Sequence, residues 1–244
     1  RTALGGSLTG VFLGFAGTEF SSLLAATPAG SSVYAATGST ASIACGRLSY
    51  TLGLHGPCIT LDTACSAALV ACHSGLRALQ RGECVAGLVA GTTLMLAPGV
   101  GISFAVAGMT SARGRSHTFD ARADGYARGE ACGAVVMSSG GIEALGVVGS
   151  AVRQDGRSAS LTAPNGQAQQ GLLGAAWWDA GVSADELTLG EAHGTGTALG
   201  DPIEIGSLTA AGLASCAESS KGPLAVSGVK ANIGHAEPAA GMTG

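Results

Sequence analysis

From Cys58 to Ala90 the chain alternates a strand-like run, a helix-like run and a second strand-like run, and this order restricts the fold more than any other feature. Cys58-Ile59-Thr60-Leu61-Asp62 is apolar and partly β-branched, which suits a buried strand. Ser66–Arg81 is rich in alanine and leucine, and Gly82 stands where a helix is expected to be capped. Val85–Ala90 is apolar again. Such alternation is the signature of an α/β chain with a parallel sheet, and the rest of the sequence follows it. Residues 7–14 predict a strand centred on Thr9–Leu13, and Ser42–Tyr50 predicts a helix ending near Gly53. Ala131–Met137 and Gly146–Arg153 read as strands joined in a hairpin across the Ser-Gly-Gly turn at 138–141. Further on come a helix over Gln167–Ala180, a strand over Leu187–Glu191, a helix over Pro202–Ala214 with Asp201 as its N-cap, and a strand over Leu224–Val229.

Composition narrows the class. With 46% hydrophobic and 11% charged residues, the 244-residue chain has the makings of a large core and excludes a disordered, charged tail. Its 41 glycines beside 4% aromatics imply tight turns and close backbone packing. A formal net charge of −4 argues against nucleic acid as a partner, although Arg113, Arg115, Arg122 and Arg128 group locally. Cys84–Ala112 carries no charge, but Gly87, Gly91, Pro98, Gly99, Gly101 and Gly108 interrupt it, so a buried strand plus loop is expected and no membrane span. The seven cysteines are an odd number without a C-x-x-C pair, which points to a reducing compartment and no disulfide framework. Cys65 and Cys72 are spaced to share a helix face, where small buried hydrophobes are expected and no metal. The chain starts at Arg1 and stops within Met242-Thr243-Gly244, so it reads as a piece of a longer protein, and its localisation stays open.

Three strand ends carry reactive side chains. Cys65 follows Asp62-Thr63-Ala64 at a strand-to-helix turn, where free N–H groups and the helix dipole favour a thiolate. It is the candidate nucleophile. His193 lies in Glu191-Ala192-His193-Gly194-Thr195-Gly196-Thr197, whose glycines let a ligand approach the backbone. His235 ends Val229-Lys230-Ala231-Asn232-Ile233-Gly234-His235. Together they offer a nucleophile, a hydrogen-bond donor and an acid/base or oxyanion partner.

These three blocks resemble the signatures of β-ketoacyl synthases, in the subgroup of modular polyketide synthases, and occur in that family's order. Phe119–Glu130, Gln154–Ser158, Leu161–Gly166 and Gly200-Asp201-Pro202-Ile203-Glu204 agree with the same family. The resemblance implies a thiolase-like fold, two similar α/β halves in layers α-β-α-β-α, with residues 1–138 as the N-terminal half, 139–244 as a truncated C-terminal half, and usually a homodimer. It also implies the chemistry. Cys65 would carry an acyl thioester, and a malonyl-type extender on the phosphopantetheine of an acyl carrier protein would lose carbon dioxide and attack it. No cofactor would be bound to the chain itself. His193 and His235 would stabilise the enolate, with the division of labour between them open. Lys230 would hold a charge network near His235 together with Glu204, and Thr195 and Thr197 would contact the pantetheine arm. A fatty-acid condensing domain shares this chemistry. A non-elongating partner domain typically lacks the cysteine or the second histidine, and both are present. A thiolase would need a second catalytic cysteine nearer the C-terminus.

Overall fold

The computed structural model describes residues 4–17, 19–140, 145–213 and 224–244. In chain order the elements are β1 (Thr9–Phe15), α1 (Glu19–Ala25), α2 (Ala35–Ser39), α3 (Ala41–Leu52), β2 (Cys58–Leu61), α4 (Ala67–Gln80), β3 (Ala86–Thr93) and α5 (Pro98–Val106). There follow β4 (Ala131–Ser138), α6 (Gly166–Ala180), β5 (Leu189–Glu191), α7 (Gly200–Leu208), β6 (Ala225–Ser227), α8 (Lys230–Ile233) and α9 (Ala240–Thr243). The chain divides into two compact units. The first takes Arg1–Val106, Arg128–Ala144 and Ala236–Thr243, and the second Ala107–Ala127, Leu145–His235 and Gly244.

In the first unit the strands lie in the order β2-β1-β3-β4. β1 runs parallel to both neighbours, and β4 is antiparallel to β3 from Ala86↔Ser138 to Thr93↔Ala131. Successive residues of a strand face opposite sides, so a central strand covered on both faces is apolar throughout. β1 obeys this: Val11 and Leu13 pack with Cys45, Leu54 and Ala90, while Phe12 packs with Ala71, Ala78, Cys84 and Val89. Thus α3 covers one face and α4 the other. The α4 side is lined by small residues, with Ala67, Ala68, Ala71, Gly75 and Ala78 all buried, which lets the helix lie close to the sheet. Gly14 makes that approach possible, since a Cβ there would come within 2.5 Å of the Ala68 backbone nitrogen.

The last segment of this unit rests on the sheet. Thr93 Oγ1 donates to Ala236 O at 2.5 Å and accepts from Ala239 N–H at 3.3 Å. Gly91 and Gly133 leave room for Ala239 and Met242. The predicted loop after β3 is in fact the helix α5; a proline at its first position presets φ and forgoes no internal hydrogen bond, so the helix starts there despite Gly99 and Gly101.

The expected hairpin does not form. β4 pairs with β3, and the described part of 146–153 holds no strand. The physical reason is that this segment spends its backbone on α6: Ser150 N–H donates to Asp179 Oδ2 at 2.9 Å, and Gly149 abuts the Ala180 backbone. In the second unit α6 starts at a true cap, Asn165 Oδ1 accepting from Gln167 and Ala168 N–H, and ends at Gly181 with φ of 67°. β5 and β6 form a parallel pair, Leu189↔Ala225 through Glu191↔Ser227. The helix predicted to reach Ala214 stops at Leu208, with a wider turn over Thr209–Leu213; Ala214 and Cys216 lie outside the described residues.

Candidate active site

Cys65 belongs to the first unit and sits in a sharp elbow between β2 and α4. Asp62 Oδ1 accepts the Ala64 N–H at 3.0 Å, and Ser66 Oγ lies 2.9 Å from both Thr63 O and Thr63 Oγ1. These short-range bonds hold Ala64 at φ of +52°, a left-handed conformation that costs a non-glycine residue about 1–2 kcal/mol. Such strain persists where the surroundings fix it, and it turns the half-buried Cys65 to the residue just before the N-cap of α4. The dipole of a 14-residue helix then acts on the sulfur. Other thiols are less suited to attack. Burial pushes the thiols of Cys72 and Cys84 up, away from the reactive thiolate.

The histidines belong to the second unit, and there the structure brings them together. Their rings meet edge to face with centroids 5.4 Å apart, and the His235 ring also stands against Tyr126 at 5.0 Å. His193 leaves the end of β5 on a glycine-rich loop with more N–H donors than it can satisfy itself. Two carboxylates of α7 answer them. Glu204 accepts from His193 N–H at 2.5 Å and Gly194 N–H at 2.8 Å. Asp201, 4% exposed, accepts from Gly196 at 3.0 Å, Thr197 at 3.3 Å and Phe119 at 2.8 Å. The N-cap role expected of Asp201 is therefore replaced by a cradle for the loop. Glu191, at the end of β5, takes the Ser227 hydroxyl and the Val229 N–H at 2.7 Å, tying the two strand ends together.

His235 follows a helical turn rather than a strand: Lys230–Ile233 is α8, and Gly234 reverses the chain with φ of 78°. Its N–H donates to Ala127 O at 2.7 Å. The side chain is 4% exposed, and its Nδ1 is buried with no hydrogen-bond partner among the described residues, the unspent polar capacity typical of a site for chemistry. Thr118 sets the spacing of the two loops. Its hydroxyl donates to Gly194 O at 2.6 Å, and a Cβ added at Gly194 or at Gly228 would come within 2.5 Å of its methyl carbon.

Electrostatics favour neutral imidazoles. Burial first, then the His193 ring and the Lys230 charge, lower the His235 pKa to about 3. His193 keeps an exposed edge, yet desolvation by the protein around it is again the leading cause; with Lys230 assisting and Asp201 opposing, its pKa falls to about 4. Lys230, 4% exposed, thus acts on both rings. A cavity of about 370 Å³ opens beside His193, with Thr195, Thr197 and Glu204 at its polar side and Leu172, Leu173 and Leu208 at its apolar side. The Thr195 and Thr197 hydroxyls stand 3.4 Å apart there. All the sequence-derived candidates of this unit, His193, His235, Lys230, Glu204, Thr195 and Thr197, lie around this cavity or the ring pair. Asp201, Thr118 and Tyr126 were not singled out for the site; the signal for Asp201 was a pair of carboxylates three residues apart directly after a donor-rich glycine loop.

Comparison with known proteins accords with this arrangement. The family models for the N-terminal and C-terminal domains of β-ketoacyl synthases match residues 1–140 and 145–244. Polyketide synthase GfsB of Streptomyces halstedii is 46% identical over 99% of this chain, and erythronolide synthase EryA2 of Saccharopolyspora erythraea 42% over 99%. The chain spans only 4% and 7% of those proteins. Among solved structures, the ketosynthase from module 6 of the bacillaene synthase of Bacillus subtilis 168 superposes with a TM-score of 0.86 at 33% identity, covering 99% of this chain and 42% of that one. An oxazolomycin ketosynthase domain from Streptomyces albus gives 0.87 at 34% identity, covering 99% and 44%. The α/β fold is the thiolase-like one of these ketosynthases, and the chain belongs to the β-ketoacyl synthase family.

Proposed function

We propose that the chain is the condensing part of a polyketide synthase and catalyses decarboxylative Claisen condensation. The observation that carries this reading is the pair of imidazoles 5.4 Å apart, His235 buried and His193 with an exposed edge, both kept neutral chiefly by desolvation in the surrounding protein with Lys230 assisting. A neutral imidazole carries one N–H to donate to a developing enolate oxygen and one nitrogen free to accept, and a donor whose direction is fixed beforehand stabilises that oxygen without reorganising at the moment of reaction. The Cys65 thiolate attacks the thioester of an incoming acyl carrier, the carrier's phosphopantetheine sulfur leaves as thiolate and takes up a proton, and the acyl group stays on Cys65 as a new thioester. A malonyl-type extender, carried on phosphopantetheine by an acyl carrier protein, loses carbon dioxide while His193 and His235 stabilise its enolate oxygen. The enolate carbon then attacks the Cys65 thioester carbonyl, the new C–C bond forms, and Cys65 leaves as thiolate. Glu204 and Asp201 hold the His193 loop, and the Thr195 and Thr197 hydroxyls offer hydrogen bonds to the pantetheine arm. The two similar halves, 1–138 and 139–244, and a homodimer belong to the same reading. Relatives at 42–46% identity are polyketide synthases, which favours a polyketide over a fatty-acid substrate.

The test is acyl loading followed by mass spectrometry of the modified peptide. Cys65→Ala abolishes loading and leaves decarboxylation of malonyl carrier measurable, whereas His235→Ala lowers condensation more than loading. Label on Cys58 or Cys72 in place of Cys65 would overturn the assignment.

A further inference from the structure

Within the second unit, the ladder of β5 and β6 ends where the chemistry begins. Beyond the last pair, Glu191↔Ser227, the Ala192 N–H still reaches Ser227 O at 2.9 Å. After that the two chains part, one to His193 and the other to Val229 and Lys230. A glutamate at an exposed strand end ordinarily gives its carboxylate to water. Glu191 spends both oxygens across the pair instead: Oε1 accepts the Val229 N–H at 2.7 Å, and Oε2 accepts the Ser227 hydroxyl.

Val229 is the residue that opens α8, and Lys230 is the first residue inside it. A helix of four residues cannot hold its own direction, because forming a first turn fixes several dihedrals for few hydrogen bonds. Its orientation comes from what grips its ends. At the far end the Gly234 N–H closes on Lys230 O at 3.0 Å. At the near end the Glu191 carboxylate holds Val229, while Gly228 abuts the Thr118 methyl with no room for a Cβ. The Thr118 hydroxyl is in turn bonded to Gly194 O at 2.6 Å, beside His193. One side chain therefore ties the two strand ends and another spaces them. What they place is a charge: Lys230, 4% exposed, bears on both imidazoles, and such an effect falls with distance.

We propose that Glu191 is a positioning residue: by tying Val229 to the strand end that carries His193, it holds the Lys230 ammonium at the imidazole pair. The inference deepens the condensing reading and rests on it for its effect on rate. Glu191 touches no reacting atom in this account; it acts through Val229 on Lys230.

Two variants of the full chain separate position from charge. Glu191→Asp keeps the charge but is one methylene too short to span both partners. Glu191→Gln loses the charge but keeps the reach, with an oxygen for the Val229 N–H and an amide N–H for the Ser227 hydroxyl. The readout is the imidazole titration of His193 and His235, followed by NMR in histidine-labelled protein with the exposed His55 as reference. Lys230 and Asp201 act on the His193 ring, and His193, Lys230 and the Tyr126 ring face His235. In Glu191→Asp both midpoints rise by about half a unit to one unit, because a nearby positive charge that disfavours protonation has moved away. The acid limb of the pH profile for decarboxylation of malonyl carrier moves up with them. In Glu191→Gln both midpoints stay close to wild type. On a Lys230→Met background the Glu191→Asp step adds about a third of that rise or less, as a residue acting through Lys230 requires. Unchanged midpoints in Glu191→Asp overturn the proposal. So does a fall in Glu191→Gln with no change in Glu191→Asp, the result of the carboxylate charge acting directly on the rings. An equal rise with and without Lys230 also overturns it, since the site has then merely loosened. Should Lys230→Met fail to fold, the Asp and Gln variants decide alone. A wild-type chain that never decarboxylates malonyl carrier would sink the condensing reading, while the titrations would still judge Glu191.

Discussion

The two imidazoles hold their low pKa values against a cost that shows in the pH dependence of stability. In the unfolded chain each takes a proton near its ordinary value of 6.5; folded, His193 does so at about 4 and His235 at about 3. The unfolded state therefore binds more protons between these limits, and stability rises with pH across that range. The contribution is complete above pH 6.5 and is lost as pH falls from there toward 4 and then 3. Urea midpoints measured at pH 7.5, 5.5 and 4.5 should fall steadily, and His235→Asn should flatten that fall; an equal slope in the variant would contradict the buried, neutral ring. Nothing in the local sequence around His193 or His235 reveals this, because desolvation comes from residues far away in the chain. The identity of the reactive groups was nevertheless legible, since Cys65, His193 and His235 each end a run whose strand or turn character is written locally. Asp201 was misassigned for the opposite reason: a cap is a local guess, and the donors it serves, from Phe119 to Thr197, come together only in the fold.

Elements were legible where one periodicity dominated. β1, α3, β2, α4, β3 and α6 fall within a few residues of expectation, with Gly53, Gly82 and Gly181 closing helices at positive φ. They failed where an element depends on its partner. A strand exists only if a ladder accepts it, and 146–153 found α6 instead; α5 was hidden by Gly99 and Gly101, whose low helix propensity is a weak local preference that tertiary context overrides. The contact of β1 with α4 gives a sharp test at this scale. Gly14→Ala drives a methyl into the Ala67–Ala68 backbone, where no flexible side chain can yield. The expected cost lies toward the upper end of the roughly 1–3 kcal/mol typical of overpacking, read as a lower denaturant midpoint with loss of Cys65 loading. A midpoint equal to wild type would mean that α4 can shift without harm to the elbow it supports.

At the scale of the molecule, burial is unevenly shared between the units. β1 and β3 carry Val11, Phe12 and Val89 at 0–1% exposure, whereas β5 and β6 are three residues each with Leu189 64% exposed. Hydrogen exchange should accordingly be slowest in β1 and β3, with β5 and β6 faster by about an order of magnitude or more, because opening free energy follows buried apolar contacts. Comparable protection in both sheets would refute this ranking. The family was legible from three short blocks because each combines a reactive group with the glycines and small residues its setting demands. One setting reaches beyond mechanism. The Thr118 methyl lies against both Gly194 and Gly228, one beside His193 and the other two residues before Lys230, so it works as a shim between the loops. Any drift at one of these three positions must then be answered at another, and in a lineage descended from this chain 118, 194 and 228 should change together or not at all.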